Sequence, residues 1–531
     1  MSDTALRKLA RWASTVHIED VPERVRAQAV NQILSTLAAV FSGYESDLGP
    51  LLEQTFQPVA PGEARVVPSG VRSSATHAAM LMSSWSMILD FDDVMLGGHT
   101  CHSSVLVPLA MSNGHSGSEL LLAQIVANEI AARINMVCAV GSTRGQMATH
   151  LHLIAAAAAR AKLEQLDESK FAEALAFALA YPGQALFPAF LGSDAKALCA
   201  ALPIRNGIEA VDAVIAGLEA PADPLDDRRG FFATAARVPV RDFLEGLGER
   251  WHTETTSFKL YPVCGYLCST IDATLDLVRE HEIASDQIES VDVWSSVFTV
   301  GMDSHSAPYL DGPRSRIATL TFSTPFTVAT AILARDLGAE HLKRTWIENP
   351  RVWELAARVR SRHDVDLTLD ALRSDIPVGA GLRRIGRMKA AGFGWSLATA
   401  ALGRSGRWRH PLQMLKLVAG LVAAAGEKRA LDFEKSTKAI GSRVEIRMTD
   451  GRVLTRTVAI PRAFAGAQSD VRALMREKFV RASSRILGDH RAAMSEASIE
   501  TLEQSSAADV AGLLEQLCEE RPQALRRVRN V

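Results

Sequence analysis

A mainly α-helical fold, with a large all-helical domain and a smaller α+β lid domain, is the class this sequence predicts. Three observations lead there. Helical apolar stripes fill roughly the first 240 residues, alternating strand patterns begin only after Lys259, and helical patterns return over roughly the last sixty residues.

Taken in chain order, Asp20 and Glu23 form a D-x-x-E capping box with Pro22 near the first turn, and "RVRAQAVNQILSTLAAVFSG" carries a helical stripe to Gly43. Further helices are expected in "THAAMLMSSWSMILDFDD", "ELLLAQIVANEIAARINMVCAV", "ATHLHLIAAAAARAKLEQL", "KFAEALAFALAY" and "NGIEAVDAVIAGLEA", with Gly- or Pro-containing breaks between them. "IESVDVWSS" reads as a strand, and "SRVEIRMTDGRVLTRTVAI" alternates around Asp450-Gly451, a hairpin signal. "DVRALMREKFVRASSRIL" and "DVAGLLEQLCEE" return to helix. The expected division is an all-helical domain of residues 1–258 and 469–531, and an α+β lid domain of residues 259–468.

At 531 residues the chain is long enough for two or three domains, and 47% hydrophobic against 22% charged residues excludes a disordered or fibrous chain. With 58 basic and 60 acidic residues, no basic bias invites nucleic acid. Six scattered cysteines lack the pattern of a secreted disulfide framework, and the amphipathic N-terminus lacks the apolar run of a secretory signal, so a cytoplasmic location is expected. No uncharged apolar span of membrane length is apparent, and "LQMLKLVAGLVAAAG" carries Lys416, so a buried or dimer-facing helix is expected there.

The chemistry concentrates in "ILDFDDVMLGGHTCHSS". Asp90 and Asp93, three apart at a helix end, share a face from which Asp92 is excluded. Gly97 and Gly98 break the helix. His102 precedes Ser103 and Ser104, N-cap candidates for "VLVPLA", beside backbone N–H groups that favour anions. A carboxylate holding an imidazole for proton transfer is one reading, and a solvated helix end is the bland one. A metal reading competes, because His99, Cys101 and His102, with Cys264 and Cys268, offer N and S ligands, although C-x-x-x-C is not a zinc-knuckle spacing. Lys196 and Lys259 stand in apolar company, where a partly buried ammonium needs an anion that a carboxylate ligand can supply. "GSTRG", with Arg144, lacks the G-K-[ST] of a phosphate loop, and His150 and His152 diverge on a helix without a shared ligand.

These pieces resemble the MmgE/PrpD family. "LDFDDVMLGGHTCHSS" is similar to its L-D-F-D-D-T…H-P-S signature, "GSDAKALCAALPIRNGIEA" to its G-x-x-x-K-x-L-H-x-G-x-A-A-x-N-G segment, "FKLYPVCGYLCSTIDA" to F-K-x-Y-P-x-C-x-x-x-H-x-x-I-D-A, and "FSTPFTVATAI" to F-S-x-x-Y-x-V-A-x-A. The late hairpin followed by "REKF" falls in the family's order. The resemblance implies a helical domain made from both chain ends, a pocket between it and the lid, a homodimer, and no metal or organic cofactor. Carried over by motif, Asp90 and His102 become the acid/base pair, while Lys196 and Lys259 bind or polarise substrate carboxylates. Asp93, His99, Ser103, Arg144, Tyr261 and Phe326 are placed around them as substrate-binding candidates. The implied activity is a lyase acting α to a carboxylate, a dehydratase or decarboxylase of a di- or tricarboxylate-like small molecule. Its alternatives are an epimerase or isomerase and a non-catalytic binding relative.

The departures are specific. Val94 stands where the family has threonine, Met87 and Cys268 where it has histidine, Ser103 where it has proline, and Phe326 where it has tyrosine; a histidine expected near "STRGQ" is absent. Residues of about 371–440 form an apparent insertion, expected to reshape the lid, cover a larger substrate, extend a dimer interface or merely add scaffold.

Overall fold

The computed structural model describes residues 4–56, 62–141, 148–392, 411–425 and 431–520. The chain folds into a predominantly helical body with one substantial sheet, the architecture its periodicity predicts.

Helices Glu23–Tyr44, Ala75–Ile88, Gly117–Val137, His150–Leu163 and Leu198–Ile215 pack against one another, and Val471–Leu487 returns from the far end of the chain to lie on Glu23–Tyr44. Their small residues make this close packing possible. In His150–Leu163 the run Ala155–Ala159 is completely buried, and such small side chains let neighbouring backbones approach closely. Gly117–Val137 begins with a capping box in which Ser116 and Glu119 satisfy each other's backbone N–H groups, a device contributing about 1 kcal/mol. By length and composition this helix is apolar enough to cross a membrane, which qualifies the sequence expectation, but it is almost wholly buried inside the fold and carries the ion-paired Glu129 and Arg133.

The expected Asp20/Glu23 box does not form. Asp20 instead accepts from the His17 backbone N–H and closes a preceding 3-10 turn, Ile18–Asp20, and Pro22 caps the long helix through its backbone geometry alone.

The sheet comprises β1 (Ile288–Ser295), β2 (Val359–His363), β3 (Ser442–Met448) and β4 (Val453–Val458), in the order β4-β3-β1-β2. β1 and β2 are parallel, while β3 runs antiparallel to both β1 and β4. The β3–β4 turn is the predicted hairpin, with Gly451 at a φ of 89° that an L side chain would resist. Helices Cys268–Glu280 and Thr324–Ala334 cover one face, which is why β3 alternates buried and outward residues.

The described parts of the 371–440 insertion do more than decorate a surface. Ala380, Leu382, Leu417, Leu421 and Phe433 form a second apolar core with Leu96, Met136, Val140 and Phe243 of the helical body. Helix Pro411–Ala424 buries Leu417 and Leu421 while Leu415 and Lys416 face outward, Lys416 pairing with Asp366 at 2.7 Å. At the insertion's end Lys438, buried, donates to the carbonyls of Val94 and Thr255. It thereby ties together the two backbones that flank the short strand pair Asp93–Val94 and Ser257–Phe258.

Candidate active site

Helix Ala75–Ile88 stops just before the acidic triplet, and Asp90 adopts a left-handed φ of 54°, a conformation Asp tolerates better than most residues. This turn overturns the helical-face expectation. Asp90 and Asp92, not Asp90 and Asp93, converge, while Asp93 enters the strand that pairs with Phe258. Gly97 holds the returning loop hard against helix Gly117–Val137, where a Cβ would lie 2.3 Å from the Ala132 side chain.

Lys196, on the 3-10 turn Asp194–Ala197, places Nζ 2.6 Å from Asp90 Oδ1, between the rings of Phe190 and Phe322. Lys259 follows strand Ser257–Phe258 and places Nζ 2.7 Å from Asp90 Oδ2 and 2.6 Å from Asp92 Oδ1. Each oxygen of Asp90 thus has its own ammonium partner. Burial alone would push both carboxyls up, but Lys196 and Lys259 hold Asp90 below the ordinary range, and Lys259 with His99 and His102 holds Asp92 well below it. Burial disfavours the Lys259 cation, yet Asp90 and Asp92 outweigh it and raise that group.

Asp92 also gathers two imidazoles. His99 Nδ1 lies 2.6 Å and His102 Nε2 3.4 Å from Asp92 Oδ2. His102 Nδ1 is 2.7 Å from Ser86 Oγ, and burial lowers its pKa despite the Asp92 charge, so the ring is neutral at pH 7. Ser103 and Ser104 are not the N-caps expected after His102; all three lie inside the helical turn Cys101–Ser104, and Val105 occupies the cap position of helix Leu106–Ala110. Ser103 Oγ donates to the Thr100 carbonyl at 2.9 Å.

The other candidates scatter. Tyr261 donates to Asp272 at 2.8 Å, and Phe326 is buried against Trp353, 5.7 Å between centroids. Arg144 lies outside the described residues. His152, expected on a helix face without a role, instead meets the His102 ring edge-on at 5.5 Å.

Sequence reasoning missed three charged groups here. Asp92 was set aside by the helix assumption, although the D-F-D-D motif itself contained it. Lys478, within the noted "REKF", reaches Ser35 Oγ at 2.9 Å and the Phe91 carbonyl at 2.8 Å, and burial lowers its pKa to about 7. Lys438 carried no local signal.

Asp92, Cys101 and His102 bring three donor atoms within 4.8 Å of one another, a set that could in principle hold a metal ion. Lys259, 2.6 Å from Asp92, already supplies positive charge there, and burial with Asp93 and Asp92 keeps the Cys101 thiol protonated. The set suits an ammonium-balanced carboxylate better than a thiolate metal centre.

Asp93 is buried, with the Gln32 and Cys101 side chains beside its carboxyl. Burial and then the Asp92 charge push its carboxyl up to about 7. A carboxyl raised in the fold favours the folded state while protonated and loses that advantage as pH climbs from its unfolded value, about 4, through 7. Asp93→Asn is therefore expected to gain stability relative to the parent on going from pH 5 to pH 8, by about 2.5 kcal/mol. Urea unfolding at both pH values checks this; a difference that does not grow with pH contradicts it.

The cluster is closed. Asp90, Asp92, His102, Lys196 and Lys259 are all buried, and a surface hollow of about 570 Å³, lined in part by Arg65, Arg72 and Arg160, contains none of them. His99 alone of this group keeps 15% of its side chain exposed.

Residues 7–241 match the MmgE/PrpD N-terminal domain and residues 261–378 the MmgE/PrpD C-terminal domain. A cis-aconitate decarboxylase of Aspergillus terreus (strain NIH 2624 / FGSC A1156) is 24% identical over 393 residues, 68% of this chain and 79% of the relative. A second cis-aconitate decarboxylase of Aspergillus terreus is 25% identical over 395 residues, with the same coverage of each chain. Two domain matches in order, the first of them carrying Lys196 and the D-F-D-D loop, make this chain a member of the MmgE/PrpD family.

Proposed function

We propose that this protein is a lyase acting α to a carboxylate, a dehydratase or decarboxylase of a di- or tricarboxylate-like small molecule. One observation carries the reading: two buried lysines from separate segments meet the two oxygens of a single carboxylate, Asp90, at 2.6 and 2.7 Å. Buried ammonium groups are costly unless anions receive them, and a pair focused on one carboxylate is also a receptor for a substrate carboxylate. The decarboxylase relatives support the class of chemistry.

The cluster supplies what such a reaction needs. As a bond α to a carboxylate breaks, negative charge spreads onto that carboxylate, and Lys196 and Lys259 stabilise it in a dry site. The Asp–imidazole group moves the proton. In a dehydration it takes the α-proton and protonates the departing hydroxyl as water; in a decarboxylation it protonates the carbon from which carbon dioxide leaves. Val94 offers no hydroxyl at the family's threonine position, which points to a substrate that is less polar there.

The test is incubation in D2O with a panel of di- and tricarboxylates, followed by NMR. Loss of water or carbon dioxide, abolished in Lys196→Met, is expected. Inversion without either loss selects an isomerase, and no exchange or turnover across the panel contradicts the proposal.

A further inference from the structure

Apolar side chains stand partly exposed beside the lysine cluster. Val94 ends the short strand Asp93–Val94, and Gly265 opens the 3-10 turn Gly265–Leu267; both keep part of their surface open, as do Tyr266 and Phe298. A Cβ built on Gly265 would stand 3.7 Å from Lys259 Cε, 3.7 Å from Phe464 Cζ and 3.9 Å from Val94 Cγ1. These are ordinary van der Waals separations, so the absent side chain leaves room for a methyl-sized group over the lysine stem. Val94 turns a methyl toward the same spot, at the position where the family signature has threonine.

An aromatic pair continues this surface. The Tyr266 ring stacks on Phe298, with 5.8 Å between centroids and 20° between planes. Phe298 lies on helix Val297–Ser306, which packs against the Gly265–Leu267 turn, and Thr299 of that helix donates to the Tyr266 carbonyl at 3.0 Å. Phe298 also packs against the second apolar core, to which Leu417 and Leu421 of the insertion belong. The insertion thus backs the wall that Tyr266 and Phe298 present. Charge favours an apolar occupant there. Lys196 and Lys259 already meet Asp90 and Asp92, while Lys438 is turned to the carbonyls of Val94 and Thr255, and Lys478 to Ser35 Oγ and the Phe91 carbonyl. A second substrate carboxylate set against Val94 and Tyr266 would lose its hydration without a cation in return, whereas an apolar group gains by leaving water.

We propose that the substrate carries one carboxylate at the lysines and, in place of a further carboxylate, an apolar arm, aryl or branched alkyl, seated on Val94, Tyr266 and Phe298. These three side chains are then the specificity-determining residues. The proposal rests on the lyase reading above and narrows its substrate from a di- or tricarboxylate to an arm-bearing acid.

The experiment gives the full-length parent acids that differ in the group on the β-carbon, in D2O and followed by NMR: malate with a carboxylate there, β-hydroxy-β-phenylpropanoate with a phenyl, and the corresponding isopropyl acid, with citrate alongside. The arm-bearing acids are expected to exchange the α-proton or react with a kcat/KM at least about 10-fold above malate and citrate. Gly265→Ala, whose added methyl fits without a clash, is expected to raise KM for the phenyl acid about 10-fold or more and for malate less than about threefold. Val94→Thr, close in volume but bearing a hydroxyl, should shift the preference toward malate by a similar factor. Malate or citrate preferred by the parent, or a preference that neither substitution moves, overturns the proposal. Saturation-transfer NMR reads binding without turnover. If no acid reacts but the phenyl acid binds through its ring and Gly265→Ala weakens that binding, the fault lies with the lyase reading; no binding of either arm-bearing acid overturns the proposal itself.

Discussion

Lys259→Met is expected to lower stability by about 3–5 kcal/mol and to abolish turnover. The methionine keeps the stem's volume, so the effect isolates the ammonium. Its removal leaves Asp92 without its cation and Asp90 with Lys196 alone, both carboxylates remaining buried. The pH dependence fixes the origin. Asp90 and Asp92 are depressed in the fold, so their contribution is present above the unfolded carboxylate value, about 4, and is lost as pH falls through their folded values. Lys259 is raised, so its contribution is complete below about 10.4 and is lost only above that. The deficit should therefore be nearly constant from pH 6 to pH 9 and shrink in acid, where the two carboxylates protonate. Urea unfolding across this range measures it, and a deficit below about 1 kcal/mol at neutral pH would contradict the pairing.

Arg133→Ala is expected to cost a similar 3–5 kcal/mol although it lies outside the cluster. Its guanidinium, on helix Gly117–Val137, donates to the carbonyls of Phe243, Glu245, Gly246 and Arg250, and pairs with Glu129 at 3.5 Å. Glu129 in turn accepts from the backbone N–H groups of His252 and Thr253, each at 2.9 Å. Together the two side chains hold the segment that leads into strand Ser257–Phe258 and so to Lys259. Alanine at 133 removes the donor to those carbonyls and leaves Glu129 buried without its cation. Hydrogen exchange should quicken across residues 243–255 before the rest of the helical body opens. Uniform exchange at the parent's rates would show that the segment is held by other means.

Much of this was legible in the sequence. The helical stripes and the Asp450-Gly451 hairpin have local periods that tertiary packing reinforced, and Lys196 and Lys259 stood out because apolar neighbours make an ammonium need a partner. Asp92 was not legible, because the argument from i,i+3 spacing presumes a helix through Asp93, whereas the helix ends at Ile88 and Asp90 turns left-handed. Lys438, Lys478, Glu129 and Arg133 were missed for a different reason. Their partners lie far along the chain, and a long-range ion pair or carbonyl contact leaves no periodic trace. Tyr261 and Phe326 could be ordered by motif, but nothing local announced Asp272 or Trp353 beside them.

The central claim is that Lys196 and Lys259 form a receptor for a substrate carboxylate. It is tested most directly by calorimetric titration of the panel carboxylate that undergoes exchange into the parent and into Lys196→Met. Removal of one charged partner from a buried carboxylate should weaken binding by about 30-fold or more, corresponding to at least about 2 kcal/mol. Equal affinity in the two proteins would contradict the account.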